Sequence, residues 1–593
     1  MDRNQESFLA DIAMAWKILD SGEKRRAALL TAVLLIGTAL EVVSLGLFMP
    51  VVAMLASDRF SSDYPWLADI VGTNDELLLV TRVFAALIVV FAVKSVYIAW
   101  SIWLQRGFSA SIEYRLSSVL FRTYTKKPFV FHLNNNSSVL IRNIGMASQF
   151  VSLTIDSLLA MGTDGAVLVA IVIFLVILEP VGTCVVVVAL GLTAMFFHLV
   201  TRAKIQSWGH RRVKHEAKKI QYLQEGFGAI KEIKVLRREV EFISRFEGEV
   251  SQMAQIGRRY GTITALPRIW LELLTLVGVA VLIAVLVAQG QSLNDTLPVL
   301  GVFTAASFRV MPSMNRLIFA VQNLRYSRSI LGLLAADLEE QNSSVLKDGI
   351  LSITKLEKSI DFCDVSFIYP GSEQPAVSNV SFSIKAGNAV GFVGSSGAGK
   401  STLVDILLGL LVPTSGHVVI DGRSQSSNDG VNTMSVGYVP QNIYLTDDSL
   451  RNNVALGFPI DSIDDDQVWE ALRRASLANF VAQLPDSLDT QMGERGVRLS
   501  GGQRQRIGIA RALYSHPSVL VLDEATSSLD VLTEEEIVRE IASMRGSLTM
   551  IVVTHRFSSV SICDVVHHIE SGCIINSGSP ENITQSIGSQ KKE

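Results

Sequence analysis

Apolar residues dominate the first half of the chain and occur only in short runs in the second half. Before about residue 325, six apolar stretches lie near 28–56, 78–104, 150–178, 181–203, 265–289 and 297–322. Each can cross the hydrocarbon core of a bilayer, which needs about 20 helical residues. Only Glu179 and Pro180 separate the third stretch from the fourth, which predicts a tight helical hairpin. We therefore predict six transmembrane helices.

Two longer connections between these stretches, 105–149 and 204–264, contain few helix breakers. We predict that each is a pair of helices that continues the neighbouring spans, with arms of about 30 residues that reach roughly 45 Å beyond the membrane. The predicted turning points are Phe131–Ile144 and Gln224–Val235. Such lengths suggest contact with another domain, and an ordinary solvated connection is the alternative.

Lys and Arg indicate which side of the membrane is cytoplasmic, because positively charged short loops remain there. Segment 201–264 is rich in both, whereas 57–77 contains only Arg59 and 290–296 contains neither. The charged N-terminus lacks the apolar core of a signal peptide. Both termini are therefore predicted to be cytoplasmic. Residues 8–19 have helical apolar spacing, which is typical of a helix on the membrane surface or packed on protein.

The composition becomes polar and charged near 326–357, and beyond it short β-branched runs alternate with helical segments. This alternation is typical of an α/β domain with a largely parallel sheet. The predicted organisation is a helical membrane domain at 1–330, a linker at 331–355 and an α/β nucleotide-binding domain at 356–593.

Composition excludes several classes of protein. Only 18% of the residues are charged and 49% are apolar, against about 25% charged in ordinary soluble proteins. Disorder would require low hydrophobicity and high net charge. A net charge of -4 offers no basic excess for nucleic acid. The cysteines lie far apart and form no metal-binding motif, namely Cys184, Cys363, Cys563 and Cys573.

A phosphate-binding loop is the strongest local motif. Residues Gly394–Ser401 fit G-x-x-x-x-G-K-[ST], with a strand-like run before them and a helix-like segment after them. The glycines allow backbone N–H groups to surround phosphates at a helix N-terminus. Lys400 would neutralise β and γ oxygens, and the Ser401 hydroxyl would ligate Mg²⁺.

An acidic pair follows a second short apolar run, Val519–Asp523. As a buried strand, this run would deliver Asp523 to the metal and place Glu524 beside the γ-phosphate as a general base for water. Paired acids at a strand end are more often solvated than catalytic. The preceding phosphate loop favours the catalytic interpretation.

Leu499–Gln503 (LSGGQ) lies between these two elements and precedes a basic helix-like stretch. Here the sequence resembles the ATP-binding cassette (ABC) transporters, whose nucleotide domains carry this signature. Ser500 and the following glycines would present a hydroxyl and backbone N–H groups at a helix start, which is a second anion site.

The resemblance implies a role for further residues. Tyr369 matches the aromatic residue that stacks on adenine, Gly493–Gly496 the loop of exporters, and Ser528–Asp530 the loop at the dimer interface. It implies ATP and Mg²⁺ as cofactors, with Glu524, His555 and Gln441 as catalytic residues and Ser401, Gln441 and Asp523 at the metal. The implied nucleotide site consists of Tyr369, Gly394, Ser395, Gly397, Ala398, Gly399, Lys400, Ser401, Thr402, Gln441, Ser500, Gly501, Gly502 and Asp523.

In this family each ATP is enclosed between the phosphate loop of one domain and the signature of another. One chain with one of each therefore implies a dimer. A homodimer with two equivalent hydrolysing sites is expected because every motif is intact, and a heterodimer with a sister chain is the alternative. Six spans before one cassette resemble an exporter in half-transporter form, in which the two turning points would be coupling helices.

Charged residues inside the predicted spans are costly and usually functional, so they are the best indication of the substrate. They are Glu41, Arg82, Lys94, Arg268, Glu272, Arg309 and Arg316. Arginines facing a cavity suit a phosphate or pyrophosphate, because the guanidinium binds these groups bidentately. Arg268 and Glu272 could instead pair with each other at i, i+4, and Arg82 and Arg316 could lie near the head groups.

A second resemblance concerns the substrate. The segments AASFRVMPSMNRL and FHLNNNSSVLIRNI are similar to those of PglK-type lipid-linked oligosaccharide flippases of bacterial protein N-glycosylation. This implies movement of a polyprenyl-pyrophosphate glycan from the cytoplasmic to the periplasmic leaflet of the inner membrane. By the same resemblance Arg82, Arg268 and Arg309 are candidates for the pyrophosphate site.

The alternatives are transporters that use the same ATPase for another substrate and cassette ATPases that have no transmembrane spans. An exporter of other lipids, amphipathic drugs or peptides would need a larger aromatic and apolar cavity, and only 7% of the residues are aromatic. A cassette ATPase of DNA repair or translation would lack the six spans. A peptide exporter with its own protease is disfavoured, because the segment before the first span is too short for a protease domain.

Overall fold

The computed structural model describes residues 8–46, 76–178, 180–288, 293–343, 355–424, 434–525 and 531–590. These residues fall into two compact units, one within 1–127 and 132–345 and the other within 128–131 and 346–593. Before residue 345 the described elements are all helical, and after it helices combine with two β-sheets.

Long helices make up the first unit. The helices in this part of the chain are α1 (Phe8–Ile18), α2 (Ser21–Gly46), α3 (Glu76–Lys126), α4 (Phe129–Asn134), α5 (Ser137–Phe150), α6 (Asp156–Leu178), α7 (Pro180–Gly228), α8 (Ile230–Leu236), α9 (Glu239–Ala288), α10 (Leu293–Tyr326) and α11 (Arg328–Ser343). A π-helical turn, Val151–Ile155, joins α5 to α6. Helices α3, α7 and α9 are each about 75 Å long at 1.5 Å per residue. Each is thus more than twice as long as the hydrocarbon core is thick, which is about 30 Å.

Four stretches of helix among the described residues are long and apolar enough to cross a membrane. They are Val80–Lys126, Ser137–Ile177, Val187–Gly228 and Glu239–Val281, and they correspond to the predicted spans two to five. Helices also cover 28–46 and 297–322, where spans one and six are predicted, so the number six stays a prediction. Helix α6 ends at Leu178 and α7 begins with Pro180, a residue favoured at the first helical position.

The second unit contains two sheets. The strands are β1 (Ser359–Phe367), β2 (Val377–Lys385), β3 (Ala389–Val393), β4 (Ser415–Ile420), β5 (Arg423–Ser424), β6 (Val436–Val439), β7 (Val519–Asp523), β8 (Thr549–Val553), β9 (Val565–Glu570) and β10 (Cys573–Gly578). The larger sheet has the order β10-β9-β3-β8-β7-β6 and is parallel from β9 to β6. The smaller sheet, β2-β1-β4-β5, is antiparallel. An α/β domain with a largely parallel sheet is thus confirmed.

The second unit also contains α-helices. They are α12 (Lys400–Leu407), α13 (Leu450–Val454), α14 (Asp465–Arg474), α15 (Ala478–Ala482), α16 (Gly501–Tyr514), α17 (Val531–Ser543), α18 (Phe557–Val560) and α19 (Pro580–Gln590). Strands β3, β7 and β8 are buried along their whole length, which explains their continuous apolar runs. Because these strands are parallel neighbours, their carboxyl ends lie at one edge of the sheet, where ligands of such sheets bind.

Candidate functional site

The loop after β3 requires glycine at two positions. A Cβ on Gly394 would lie 2.1 Å from the carbonyl oxygen of Ile569. Gly399 has φ +101°, and a Cβ there would lie 2.4 Å from the carbonyl oxygen of Ala376. The loop therefore runs against neighbouring backbone, and helix α12 begins directly after it. This arrangement directs the N–H groups of the first helical turn toward the space at the sheet edge.

Lys400 is held inside this loop. Its Nζ donates to the carbonyl oxygens of Gly394 at 2.9 Å and Ser395 at 2.8 Å, and the residue is only 6% exposed. Burial lowers the pKa of its ammonium group, against the opposing influence of Glu524 and Asp523. The lysine thus lies where phosphate oxygens would complete its hydrogen bonds.

The acidic pair lies at the end of the neighbouring strand β7. Asp523 is 8% exposed, and burial followed by the charge of Glu524 raises the pKa of its carboxyl group, while Lys400 lowers it. A third carboxylate, Asp405 on α12, was not predicted from the sequence. Burial and the charge of Asp523 raise the pKa of Asp405 to about 6. The site therefore carries concentrated negative charge opposite Lys400.

Glu524 is positioned through both its backbone and its side chain. Its φ is +52°, and its N–H donates to the carbonyl oxygen of Val553 at 2.9 Å. One carboxylate oxygen accepts from Nε2 of Gln441 at 2.7 Å, and the other lies 2.5 Å from Nε2 of His555. The three residues proposed as catalytic from the sequence are therefore in direct contact.

Gln505 is a further contact of this glutamate that the sequence did not indicate. Its Nε2 donates to the carbonyl oxygen of Glu524 at 3.2 Å, and the residue is 3% exposed. Since Gln505 lies on α16, it connects the helix that starts at the LSGGQ signature to the backbone of the candidate base.

We expect Gln505→Leu to lower the kcat of ATP hydrolysis about threefold to tenfold, because a leucine of similar size leaves the Glu524 carbonyl without this hydrogen bond. The KM for ATP should change little, since Gln505 holds the base rather than the nucleotide. Steady-state kinetics would test this, with Gln467→Leu on α14 as the control. An unchanged kcat would contradict the positioning role.

A hydroxyl, an amide and a carboxylate are available for Mg²⁺. Ser401 is an exposed residue in the first turn of α12, and Asp523 ends β7. Gln441 uses its Nε2 on Glu524, which leaves its Oε1 for a metal. Such oxygen donors fit the preference of Mg²⁺ for few protein ligands plus phosphate oxygens. No cluster of three or more His, Cys, Asp or Glu side chains suited to a metal occurs within the described ranges.

Tyr369 lies beside the phosphate loop. Its hydroxyl is 3.2 Å from Oγ1 of Thr402, and its ring meets Phe367 edge to face at 5.0 Å. These contacts orient the ring next to the first turn of α12, where a base attached to bound phosphates could stack on it.

The LSGGQ segment forms the N-terminus of α16. Ser500 is the N-cap, and a capping box links it to Gln503: the Gln503 N–H donates to Ser500 Oγ at 3.2 Å, and the Ser500 N–H donates to Gln503 Oε1 at 2.9 Å. The Ser500 O–H remains able to donate, and the N–H groups of Gly501 and Gly502 have no acceptor within the helix. This end of α16 can therefore bind an anion. Ser528–Asp530 lie outside the described residues.

The candidate substrate arginines lie on three different helices. Arg82 is on α3, Arg268 on α9 and Arg309 on α10. Arg268 donates to Glu272 at 3.0 Å, and both side chains are exposed, so the i, i+4 pair considered above forms. The side chain of Arg309 lies outside what the structure describes.

Asp156 and Asp164 were not among the charged residues predicted to lie in the spans, yet each forms an ion pair with an arginine. Arg316 makes a bidentate contact with buried Asp164, at 2.5 and 2.8 Å, and Asp156 accepts from Arg106 at 2.9 Å. Asp164 lies within the third apolar stretch, so its position in a predicted span can be read from the sequence. The excess of basic over acidic residues in the predicted spans is therefore smaller than the charged residues named from the sequence imply.

Comparison with known proteins agrees with this arrangement. The family profile "ABC transporter transmembrane region" matches residues 28–310, and the profile "ABC transporter" matches residues 377–527. The chain is 28% identical over 489 residues to the ATP-dependent lipid A-core flippase of Ralstonia nicotianae, covering 81% of each chain. It is 34% identical over 297 residues to the heterocyst differentiation ATP-binding protein HepA of a Nostoc species, covering 49% of this chain and 48% of that one.

A solved structure shows the same fold. The bacterial Atm1-family ABC exporter with ATP bound superimposes with a TM-score of 0.77 at 22% identity, over 95% of this chain and 97% of that one. One transmembrane region and one ATP-binding domain in a single polypeptide constitute a half-transporter. The chain is thus a multi-pass membrane protein that belongs to the ABC transporter family and couples ATP hydrolysis to transport.

Proposed function

We propose that the chain is an ATP-driven flippase that moves a polyprenyl-pyrophosphate oligosaccharide from the cytoplasmic to the periplasmic leaflet of a bacterial inner membrane. The observation that carries the lipid assignment is the similarity to lipid A-core flippases across both halves of the chain. The pyrophosphate assignment depends on the arginines within the predicted spans, of which Arg309 belongs to the sixth. A guanidinium suits a phosphate oxygen because it can bind the group bidentately.

The working form is proposed to be a homodimer with both termini in the cytoplasm. In it, the phosphate loop of one copy and the Ser500–Gly502 segment of the other enclose each ATP. Lys400 binds phosphate oxygens, Tyr369 stacks on the base, and Ser401, Gln441 and Asp523 hold Mg²⁺, which neutralises phosphate charge. Glu524 accepts the proton of the attacking water, while His555 and Gln441 orient its carboxylate.

ATP can drive transport only through a higher affinity for the closed pair of cassettes than for the open pair. Closure would then pull on the helices that extend from the spans and switch the membrane helices between two states. Residues 131–144 and 224–235 are the proposed coupling segments. Hydrolysis at Glu524 would reopen the cassettes and reset the cycle.

A second candidate is a flippase for a different phosphorylated lipid. The names of the relatives favour it, because they specify lipid A-core rather than a polyprenyl lipid. Both candidates use the same arginines and the same ATPase. A transport assay that compares the two lipids would distinguish them.

We expect Arg309→Ala to lower translocation of a polyprenyl-pyrophosphate glycan at least tenfold per ATP hydrolysed, because one charge-assisted contact to the pyrophosphate is lost. Glycan accessibility in proteoliposomes, measured together with phosphate release, would test this. Arg245→Ala is the matched control, since Arg245 forms an exposed pair with Glu241 on α9 and such pairs contribute little. Equal transport by both variants would refute the role of Arg309.

A further inference from the structure

A cavity of about 390 Å³ lies between α6, α7 and α10 in the helical unit. Met161, Met195 and Met314 are among its apolar lining residues, and Gln322, Arg325 and His198 form its polar part. Its volume is within the range of ligand pockets, roughly 300–1,000 Å³. Methionine side chains adapt to flexible hydrocarbon ligands because they are unbranched and polarisable.

Gln322 is the most unusual of the lining residues. It is 2% exposed, yet neither its Nε2 nor its Oε1 has a hydrogen-bond partner among the residues that the structure describes. A buried amide without partners is costly, and most buried polar side-chain atoms in proteins have partners. Gln322 lines the cavity, so a rotation of its side chain would present the amide to a ligand there, which could supply both a donor and an acceptor.

Arg325 lies one helical turn beyond Gln322 and is 8% exposed. Its Nη2 is 2.6 Å from Nδ1 of His198, so among the described residues the guanidinium hydrogen-bonds to an imidazole, and the charge of Asp11 acts on it without a hydrogen bond. A guanidinium can only donate, so His198 accepts with a neutral ring. An anionic ligand would compete well for Arg325, since a charged acceptor forms a stronger hydrogen bond than a neutral one.

The polar and apolar lining residues are separated along the helices. On α10 the lining changes from Met314 to Gln322 and Arg325, and on α7 from Met195 to His198 and Thr201. Met314 and Arg325 are about 16 Å apart along the helix axis, close to half the thickness of the hydrocarbon core. With the termini in the cytoplasm, the polar end faces the cytoplasmic side, as the head group of a lipid in that leaflet does.

We propose that this cavity captures the head group of a phosphate- or pyrophosphate-bearing lipid from the cytoplasmic leaflet. Arg325 binds a phosphate oxygen and is released from His198. The amide of Gln322 bonds to the adjoining phosphate ester or sugar hydroxyl, and the first part of the hydrocarbon chain lies along the methionines. The identity of the lipid rests on the proposed flippase function. The class of ligand, a phosphate-bearing head group with a hydrocarbon chain, rests on the cavity alone.

Binding of geranylgeranyl pyrophosphate to the full-length protein in phosphatidylcholine nanodiscs tests this proposal. The increase in Tm with probe concentration yields an apparent Kd. We expect Gln322→Leu to weaken the apparent Kd at least tenfold. Without probe the variant should be at least as thermostable as the wild type, because the substitution removes two unpartnered buried polar atoms.

The matched control is Asn315→Leu. Asn315 is on the same helix and has a buried atom, Oδ1, that lacks a partner among the residues described, but it is not part of the cavity lining. Asn315→Leu should bind the probe as the wild type does. Inorganic pyrophosphate and geranylgeraniol, tested separately, should each raise the Tm less than the intact probe.

Several results would overturn the proposal: no binding by the wild type, wild-type affinity in Gln322→Leu, or an equal response to inorganic pyrophosphate. Translocation assays distinguish this failure from failure of the proposed function. Normal glycan transport by Gln322→Leu would reject the cavity and leave the flippase function intact. Gln322-dependent binding of the probe without glycan transport by the wild type would support the cavity and reject the polyprenyl-glycan substrate.

Discussion

Glu524→Gln should slow ATP hydrolysis by about 10²- to 10⁴-fold, the usual contribution of a general base, while ATP still binds. The substitution keeps the shape of the side chain and removes only its basicity. Its new amide oxygen can still accept from Gln441 Nε2, and its NH₂ can donate to Nε2 of His555 in the tautomer that accepts there. The contacts that hold the residue at φ +52° therefore survive, so the loss would be chemical rather than structural.

Single-turnover phosphate release and equilibrium binding of a fluorescent ATP analogue would separate these two effects. Glu535→Gln is the matched control, because Glu535 is an exposed glutamate on α17 and its loss should change neither quantity. Turnover near the wild-type rate in Glu524→Gln would remove Glu524 from the role of base. Loss of nucleotide affinity would show instead that the carboxylate is needed to organise the site.

Gly399→Ala should weaken ATP binding at least a hundredfold. Two penalties act together at this position: φ is +101°, and a Cβ would lie 2.4 Å from the carbonyl oxygen of Ala376. Since that oxygen belongs to backbone at the edge of strand β2, the loop rather than the strand would move. The N–H groups and Lys400 would then no longer converge on one phosphate position, and misplacement by about 1 Å is enough for a large loss.

Gly457→Ala separates the two penalties. Gly457 has φ +87°, but a Cβ there meets nothing within 4 Å. It should therefore show the modest cost of left-handed backbone, about 1–2 kcal/mol, with normal ATP affinity. Titration calorimetry on both variants would measure this difference. Similar affinities in the two variants would indicate that the close approach to Ala376 does not position the loop.

Much of the candidate nucleotide site could be proposed from the sequence because its parts are local along the chain. The strand, loop and helix at Ala389–Leu407 are contiguous, and so is the capping box between Ser500 and Gln503. The pairing of Arg268 with Glu272 also follows from helical spacing alone. In each case a few bonds along the chain limit how far apart the groups can be.

Other features depend on contacts between distant segments, which no pattern along the chain indicates. Gln505 on α16 reaches the carbonyl of Glu524, which follows β7, and Asp164 neutralises Arg316 across 152 positions. The apolar pattern of the third stretch masked Asp164, because one carboxylate changes the average hydropathy little. Which intramembrane charges are paired was therefore decided only by helix packing.

The amino-acid sequence by itself determined the family and the presence of an ATPase, and it supplied most of the candidate residues for the phosphate site, because these depend on short motifs whose geometry follows from local backbone rules. Tertiary structure decided how Gln441, Glu524 and His555 meet, and it revealed that the Gln322 amide, close to Arg325 and His198, has no partner within the described part of the chain. The physical reason is that hydrogen bonds and charge pairing act over a few ångströms in space, whereas these residues are up to 127 positions apart in the chain.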